Sequence, residues 1–361
     1  MSSNVTESSM TSYKDFTEYT VAEKIWIVVS PILIVIGTIS NILSVVVLAR
    51  KRMRNSTTMF YLMILALGDI LVLSTGLLRY WLKFAFDVDV RLLSQFGCKL
   101  HVFLVYFSLD FTTWILVAVT IDRCIFVCLP FRAKQLCTMK HAEAAAISIA
   151  ILMVAINFHL FWGVEIKLED GERSCSQANE FTSRVWPWLD FCIFSILPFT
   201  VMIICNTCII RRLIQSHRRI VSHQDRHQER PTQTVSGNGI TTPGHEESAP
   251  PVVNNHKTKA KVPSVTAMLL SVNCVFLLLT VPIVIYLIVH SYVNSTLSAH
   301  ERAVTQLFWA IVNMLQYANN SIHFFMYCLT CPRFRKELYR LFNKRSNDTS
   351  RNDKSVTLEL N

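Results

Sequence analysis

An all-α membrane protein is the fold class this sequence predicts: a bundle of seven transmembrane helices with a short amphipathic helix behind the last. Three observations carry that prediction. The 361 residues are 52% hydrophobic and only 17% charged, with a mean hydropathy of +0.36, too apolar for an ordinary soluble domain. Seven apolar runs each reach the roughly 20 residues a helix needs to cross a bilayer. Lys and Arg gather in alternate connections between those runs, the pattern that marks cytoplasmic loops.

Residues 1–24 are polar and rich in Ser and Thr, without the apolar core and cleavage site of a signal peptide. A short flexible outer tail is expected there, the first span serving as its own insertion signal. Asn4-Val5-Thr6 forms a glycosylation sequon in that tail, and Asn294-Ser295-Thr296 forms another in the last outer loop. The seven-span domain occupies residues 25–329. Its runs extend from Ile25 to Leu48, Met59 to Leu78, Leu100 to Ile121, Ala144 to Val164, Val185 to Ile210, Val262 to Val289 and Ala303 to Leu329.

Arg50, Lys51, Arg52 and Arg54 follow the first run, and the fifth connection and the C-terminal tail are also basic. The N-terminus is therefore expected outside a plasma membrane and the C-terminus inside. That topology accounts for the net charge of +10, so no nucleic-acid partner is required. The connection from about residue 216 to 256 is polar and aperiodic and is expected to be disordered. Over residues 330–343, Phe334, Leu338, Leu341 and Phe342 recur at helical spacing among basic residues, predicting an amphipathic helix on the inner membrane surface. Residues 344–361 form a polar tail whose Thr349, Ser350, Ser355 and Thr357 are candidate phosphorylation acceptors.

Thr120-Ile121-Asp122-Arg123-Cys124 sets an acid beside a base where the third run meets a basic loop. A solvated pair contributes only about 0 to 1 kcal/mol, so its position at a membrane-helix end is the signal. In the seventh run, Asn319-Asn320-Ser321-Ile322-His323-Phe324-Phe325-Met326-Tyr327 is followed by Phe334. Together with Phe276, Pro282 and Pro198, these motifs resemble those of rhodopsin-like G-protein-coupled receptors over about residues 25 to 342, in the neuropeptide-receptor manner. His323 and Phe324 stand where that family usually has Asn and Pro, Thr280 where it has Trp, and Asn206 where it has Tyr.

The resemblance implies a bridge between Cys98 and Cys175, both placed on the oxidising side; two free thiols are the alternative. It implies that Arg123 contacts a heterotrimeric G protein, with Asp122 holding it beforehand and Tyr327 part of the same switch, and that a phosphorylated tail recruits arrestin. Many relatives add a second acid at the foot of the sixth span. Here Lys257, Lys259, Lys261 and Val262 stand there, which predicts ligand-independent signalling. Asp69 lies mid-span, where an acid costs about 2.5 to 3.5 kcal/mol and needs a partner or a task. The resemblance makes Asp69, Thr112 and Asn319 candidate ligands of a sodium ion, with a metal-free hydrogen-bond network as the alternative. His323 reads as a buried polar contact or a proton switch.

Two absences narrow the ligand. Val105 occupies the position where amine receptors of the family carry Asp, and Tyr317 the position of the retinal-binding Lys. The candidate pocket is Arg79, Tyr106, Asp110, Asp190, Tyr286, Trp309 and Tyr317, aromatics with a few charges that suit a peptide. Intramembrane Asp110 and outer-end Asp190 are the stronger candidates, with pairing to Arg79 or to polar groups of neighbouring helices as the simpler alternative for them. Acidic outer-loop residues such as Glu165 and Glu180 would steer a basic partner inward. A short neuropeptide with a basic residue is the expected ligand, an amidated C-terminus being one form of it and a non-peptide small molecule the alternative. An ion channel or ion-coupled transporter is the second function class, weakened by few intramembrane charges and no internal repeat. An enzyme is not expected, since the sequence carries no metal-ligand cluster or nucleophile–base pattern.

Overall fold

The computed structural model describes residues 12–169, 172–228, 264–293 and 297–343. The sequons at Asn4 and Asn294, the residues Lys257 to Val262 and the tail from residue 344 lie outside these. Seven long helices succeed one another: α1 (Thr17–Leu48), α2 (Thr57–Phe86), α3 (Gln95–Cys128), α4 (Met139–Asn157), α5, α6 (Ser264–Val293) and α7 (Ala299–Thr330). Helix α5 opens with a π-turn at Phe181–Val185, passes through Trp186–Phe191 and a second π-turn at Cys192–Ile196, and continues over Leu197–Gln228. A short helix, Pro130–Leu136, follows α3 with Pro at its first position, where the missing N–H is not needed.

Most helices outrun their predicted spans, because hydropathy senses the slice in hydrocarbon and not the polar turns beyond it. Helix α1 starts at Thr17, inside the tail expected to be flexible, and a 3₁₀ turn at Tyr13–Asp15 precedes it. Glu18 meets His300 at 3.3 Å, and Phe16 lies 5.1 Å from the same ring, so this first turn is tied to the start of α7. At the other end, α5 runs past residue 216 into the segment expected to be disordered. Its Arg- and Gln-rich sequence there is helix-permissive.

Six of the described helices are long and apolar enough to cross a membrane; α7 is long enough but more polar. The reason lies in what α7 buries: Asn313, Gln316, Asn319, Asn320, Ser321 and His323 all point into the bundle. Without a hydrophobic drive between helices in lipid, close packing of small residues and buried hydrogen bonds hold such a helix. Helix α1 supplies both. Asn41 Nδ2 donates to Asn320 O at 2.8 Å, Ser40 Oγ to Ser321 O at 3.2 Å and Ser321 Oγ to Leu33 O at 3.3 Å. A Cβ at Gly37 would stand 2.5 Å from Ser321 Oγ, so only glycine allows this approach.

Outside the bundle the apolar side chains face outward in a belt, including Ile32, Val35, Ile39, Ile147, Ile151, Ile204 and Leu278. Such exposure would be a liability in water and is the natural surface toward lipid tails.

Helix α2 ends at Asp87, whose φ of 55° is left-handed, a conformation that short polar residues tolerate at helix ends. Between α4 and α5 lies a two-stranded antiparallel hairpin, β1 (Val164–Glu169) and β2 (Glu172–Gln177), which the all-helical expectation missed. Its signal was the period-two alternation of Val164, Ile166 and Leu168 with Glu165 and Lys167. Cys175 on β2 is bonded to Cys98 in the first turn of α3, so the hairpin is strapped across that end of the bundle. Closing a loop with a sequence separation of 77 residues constrains the unfolded chain strongly. Cys98→Ser is expected to destabilise the protein by about 2 to 5 kcal/mol and to cut its surface expression, measured by flow cytometry of a tagged chain.

Behind α7 runs α8, residues 332–343. Phe334 turns inward against Phe324 and Tyr327, at ring distances of 5.7 and 5.6 Å. Glu337 is buried and gathers Arg50 at 3.3 Å, Arg52 at 3.8 Å and Arg340. Helix α8 is thus clamped to the α1–α2 connection by an ionic cluster that amphipathicity alone did not predict.

Candidate functional site

At the disulfide-bearing end the helices enclose a cavity of about 390 Å³. Arg79, Tyr106, Asp110, Asp190, Trp309 and Tyr317 all line it. Tyr286 does not. Its ring packs 5.4 Å from both Trp309 and His290, and its hydroxyl donates to Thr305 O at 3.4 Å, which places it beyond the cavity wall. The lining also includes Arg91, His101, Trp186 and Gln316, which the sequence did not single out, and Cys175, Ser176 and Gln177 of β2. A Cβ at Gly76 would stand 2.6 Å from Tyr317 Oη, so this glycine lets the tyrosine reach the cavity wall.

The carboxyl groups are arranged unevenly. Asp110 is 1% exposed, and Asn157 Nδ2 of α4 donates to its Oδ2 at 2.8 Å. Asp190 projects from α5 into the same cavity, and neither acid has an ion pair to a base among the described residues. Arg79 is not their partner. Its guanidinium meets Asp89 in the α2–α3 connection at 3.3 Å, and Arg91 meets the same carboxylate at 2.8 Å. Burial alone would raise the Asp89 carboxyl, but the Arg91 hydrogen bonds and the Arg79 charge outweigh it and hold the group well below the usual carboxylate range.

Deeper in the bundle, Asp69 and His323 are 0% and 2% exposed, and His323 Nδ1 lies 2.7 Å from Asp69 Oδ2. With that nitrogen protonated, the imidazole donates to the carboxylate. Thr112 Oγ1 is turned away to its own helix, donating to Ser108 O and Leu109 O at 2.9 and 3.0 Å. Asp69 Oδ1 and Asn319 Oδ1 are buried without a hydrogen-bond partner among the described residues. A hard cation needs several oxygen ligands. Here an imidazole holds one carboxylate oxygen, so Asp69 forms a hydrogen-bonded pair with His323, and Asp69 Oδ1, Asn319 Oδ1 and the lone pairs of Thr112 Oγ1 are the oxygens left among the three residues.

At the opposite end, Arg123 Nη2 and Nε donate to Asp122 Oδ2 at 2.8 and 3.1 Å. The same oxygen accepts from Thr57 Oγ1 at 3.0 Å and Thr58 Oγ1 at 3.4 Å. These α2 hydroxyls are a restraint the sequence reading missed. Arg123 also lies over Phe126 at 4.6 Å and lines a second cavity of about 700 Å³, walled by Met59, Ala133 and Val265. Tyr327 does not line it; the ring is fully buried between His323 and Phe334. Nearby, Asn273 Nδ2 of α6 donates to Thr120 Oγ1 at 2.9 Å and Asn206 Oδ1 at 3.0 Å, joining α3, α5 and α6. Asn206 therefore has a partner of its own where the family usually places a tyrosine.

Seven helices in this order, an end strapped by a disulfide over a ligand-sized cavity, and an Asp–Arg pair at the other end define a seven-transmembrane receptor. The model of the seven-transmembrane receptors of the rhodopsin family matches residues 40–327, and the chain belongs to that family, the rhodopsin-like G-protein-coupled receptors. It is 26% identical to G-protein coupled receptor 183 of Mus musculus over 51% of this chain and 52% of that protein. Similarity to cysteinyl leukotriene receptor 1 of Homo sapiens is 23% identity over 61% of this chain and 66% of that one. The Sus scrofa receptor of the same name is 24% identical over 50% and 54%. The chain thus spans between about half and two thirds of the length of these relatives. They are receptors, not enzymes, and the chain is a multi-pass membrane protein of their kind.

Proposed function

We propose that this chain is a plasma-membrane receptor that binds a short extracellular peptide at the disulfide end and activates a heterotrimeric G protein at the Arg123 end. The N-terminus and hairpin face outward, the basic connections and α8 inward. One observation carries the ligand reading: Asp110 and Asp190 face one cavity without a basic partner among the described residues. A buried carboxylate without a counter-charge is costly, and a cationic ligand group removes that cost. Binding then favours the arrangement of helices that opens the inner cavity, as a population shift requires. Arrestin at a phosphorylated tail and lipids along the outward apolar belt are further partners in this reading.

The test is a screen of synthetic basic neuropeptides on cells expressing the chain, with calcium and cyclic-nucleotide readouts. Asp190→Asn and Asp110→Asn are each expected to lower agonist potency by roughly 30-fold or more, the loss from breaking a buried charge pair. Unchanged potency for every active basic peptide would remove the acids from recognition. A second reading, a lipid-like small molecule, is favoured by the cavity's apolar middle, Val102, Val105, Leu109 and Ile283, and by relatives named for leukotriene binding. Responses to lipid fractions but to no peptide would select it.

A further inference from the structure

The cavity is electrically polarised along its length. At its mouth Arg79 and Arg91 line the wall and share a single carboxylate, that of Asp89, so the cluster keeps an unbalanced positive charge. That charge is largely removed from water, since the side chains of Arg79 and Arg91 are 11% and 19% exposed. His101 lines the same region, and its Nε2 is buried with no hydrogen-bond partner among the described residues. At the floor stand Asp110 and Asp190.

On α3, nine residues separate His101 from Asp110, or about 13 Å along the axis at 1.5 Å per residue. A desolvated guanidinium cluster with one acid too few calls for a second anion. The Nε–Nη2 forks of both arginines hold Asp89 and Arg91 Nη1 reaches Cys175 O, so a second carboxylate takes the N–H groups that remain, those of Arg79 Nη1 and the second N–H of each Nη2. We infer that Arg79 and Arg91 form an anion subsite beside His101 at the cavity mouth, so that the ligand is dipolar: a cationic group on the floor and a carboxylate about 13 Å above it. An extended chain covers that distance in about four residues. The ligand's outer end is then a free C-terminal or side-chain carboxylate and not an amidated terminus. This inference rests on the peptide reading above and adds the second charge.

Two matched libraries of synthetic tetrapeptides test it, each with Lys or Arg first, one ending in free carboxylates and one in amides. They are applied to cells expressing the full chain, with calcium and cyclic-nucleotide readouts. Active sequences are expected to be roughly 10- to 100-fold more potent as acids than as amides, the range for a hydrogen-bonded charge. Arg79→Gln and Arg91→Gln, compared at matched surface expression, should bring the two forms to similar potency. Asp190→Asn should weaken both forms and preserve their ratio. Amides as potent as acids on the unaltered receptor would overturn the subsite, and that comparison holds even where an arginine variant fails to reach the surface. A ratio preserved in both arginine variants would also overturn it. Silence of both libraries would overturn the peptide reading itself, and the subsite with it.

Discussion

Arg123→Ala is expected to reach the cell surface at near-normal density and to lose G-protein activation. The guanidinium lies against Asp122 at 2.8 Å and faces the cavity of about 700 Å³ at the basic end of the bundle. Its side chain is only 10% exposed, so the pair is worth more than a solvated one. In the proposed switch this arginine has two sets of partners: Asp122 and Thr57 at rest, and a docked G protein once the helices part. Alanine removes the second set without leaving a buried cation behind. Asp122 stays satisfied in part by Thr57 and Thr58, which is why folding should survive. Normal signalling by the variant, read as agonist-stimulated nucleotide exchange, would remove Arg123 from the coupling site. The companion change, Asp122→Asn, weakens the resting set alone, and basal signalling should rise above that of the unaltered receptor. The unaltered receptor should itself signal above mock-transfected cells, because lysines stand where relatives place a second acid.

The second large effect is expected at the centre of the bundle. His323→Leu strands the Asp69 carboxylate in a fully buried site, and breaking one partner of such a pair costs about 3 to 5 kcal/mol. The thermal-unfolding midpoint of the purified receptor should fall clearly. Adding Asp69→Leu to make the double variant should recover much of the loss, since paired apolar replacements are often tolerated. A midpoint unchanged by His323→Leu would show that the pair carries no stability. The same samples address the ion. With the His323 imidazole on Asp69 Oδ2 in place of a cation, sodium and potassium at equal concentration should give the same midpoint. A sodium-specific rise that Asp69→Asn abolishes would contradict this.

His323 shows where reading a sequence stops. As a residue in a row it was a departure from a motif, and its partner lies 254 positions away, a distance no local pattern encodes. Arg79 shows the same limit from the other side. The sequence identified it as a charge near the outer end of α2 and offered it as one alternative partner for Asp110 and Asp190, but the turn at Asp87 brings Asp89 to it instead. Tyr286 was an outer aromatic like Trp309, and the packing of α6 against α7 set one on the cavity and the other behind it.

What the sequence determined by itself was the environment of each segment. The bilayer is a solvent with one strict demand, that every backbone polar group be satisfied within the segment, so an apolar run of sufficient length must be a helix and its flanking charges must set its orientation. That demand is local, so the seven helices, their order, α8 and the position of Asp122-Arg123 were legible from residue order. What the tertiary structure decided was which polar side chains meet. Helix rotation, the closeness allowed by Gly37 and Gly76, and the fold of the hairpin chose Asp69 for His323, Asn157 for Asp110 and Asp89 for two arginines. These choices depend on angles and contacts between segments far apart in the chain, and the hydrophobic pattern that builds each helix is indifferent to them.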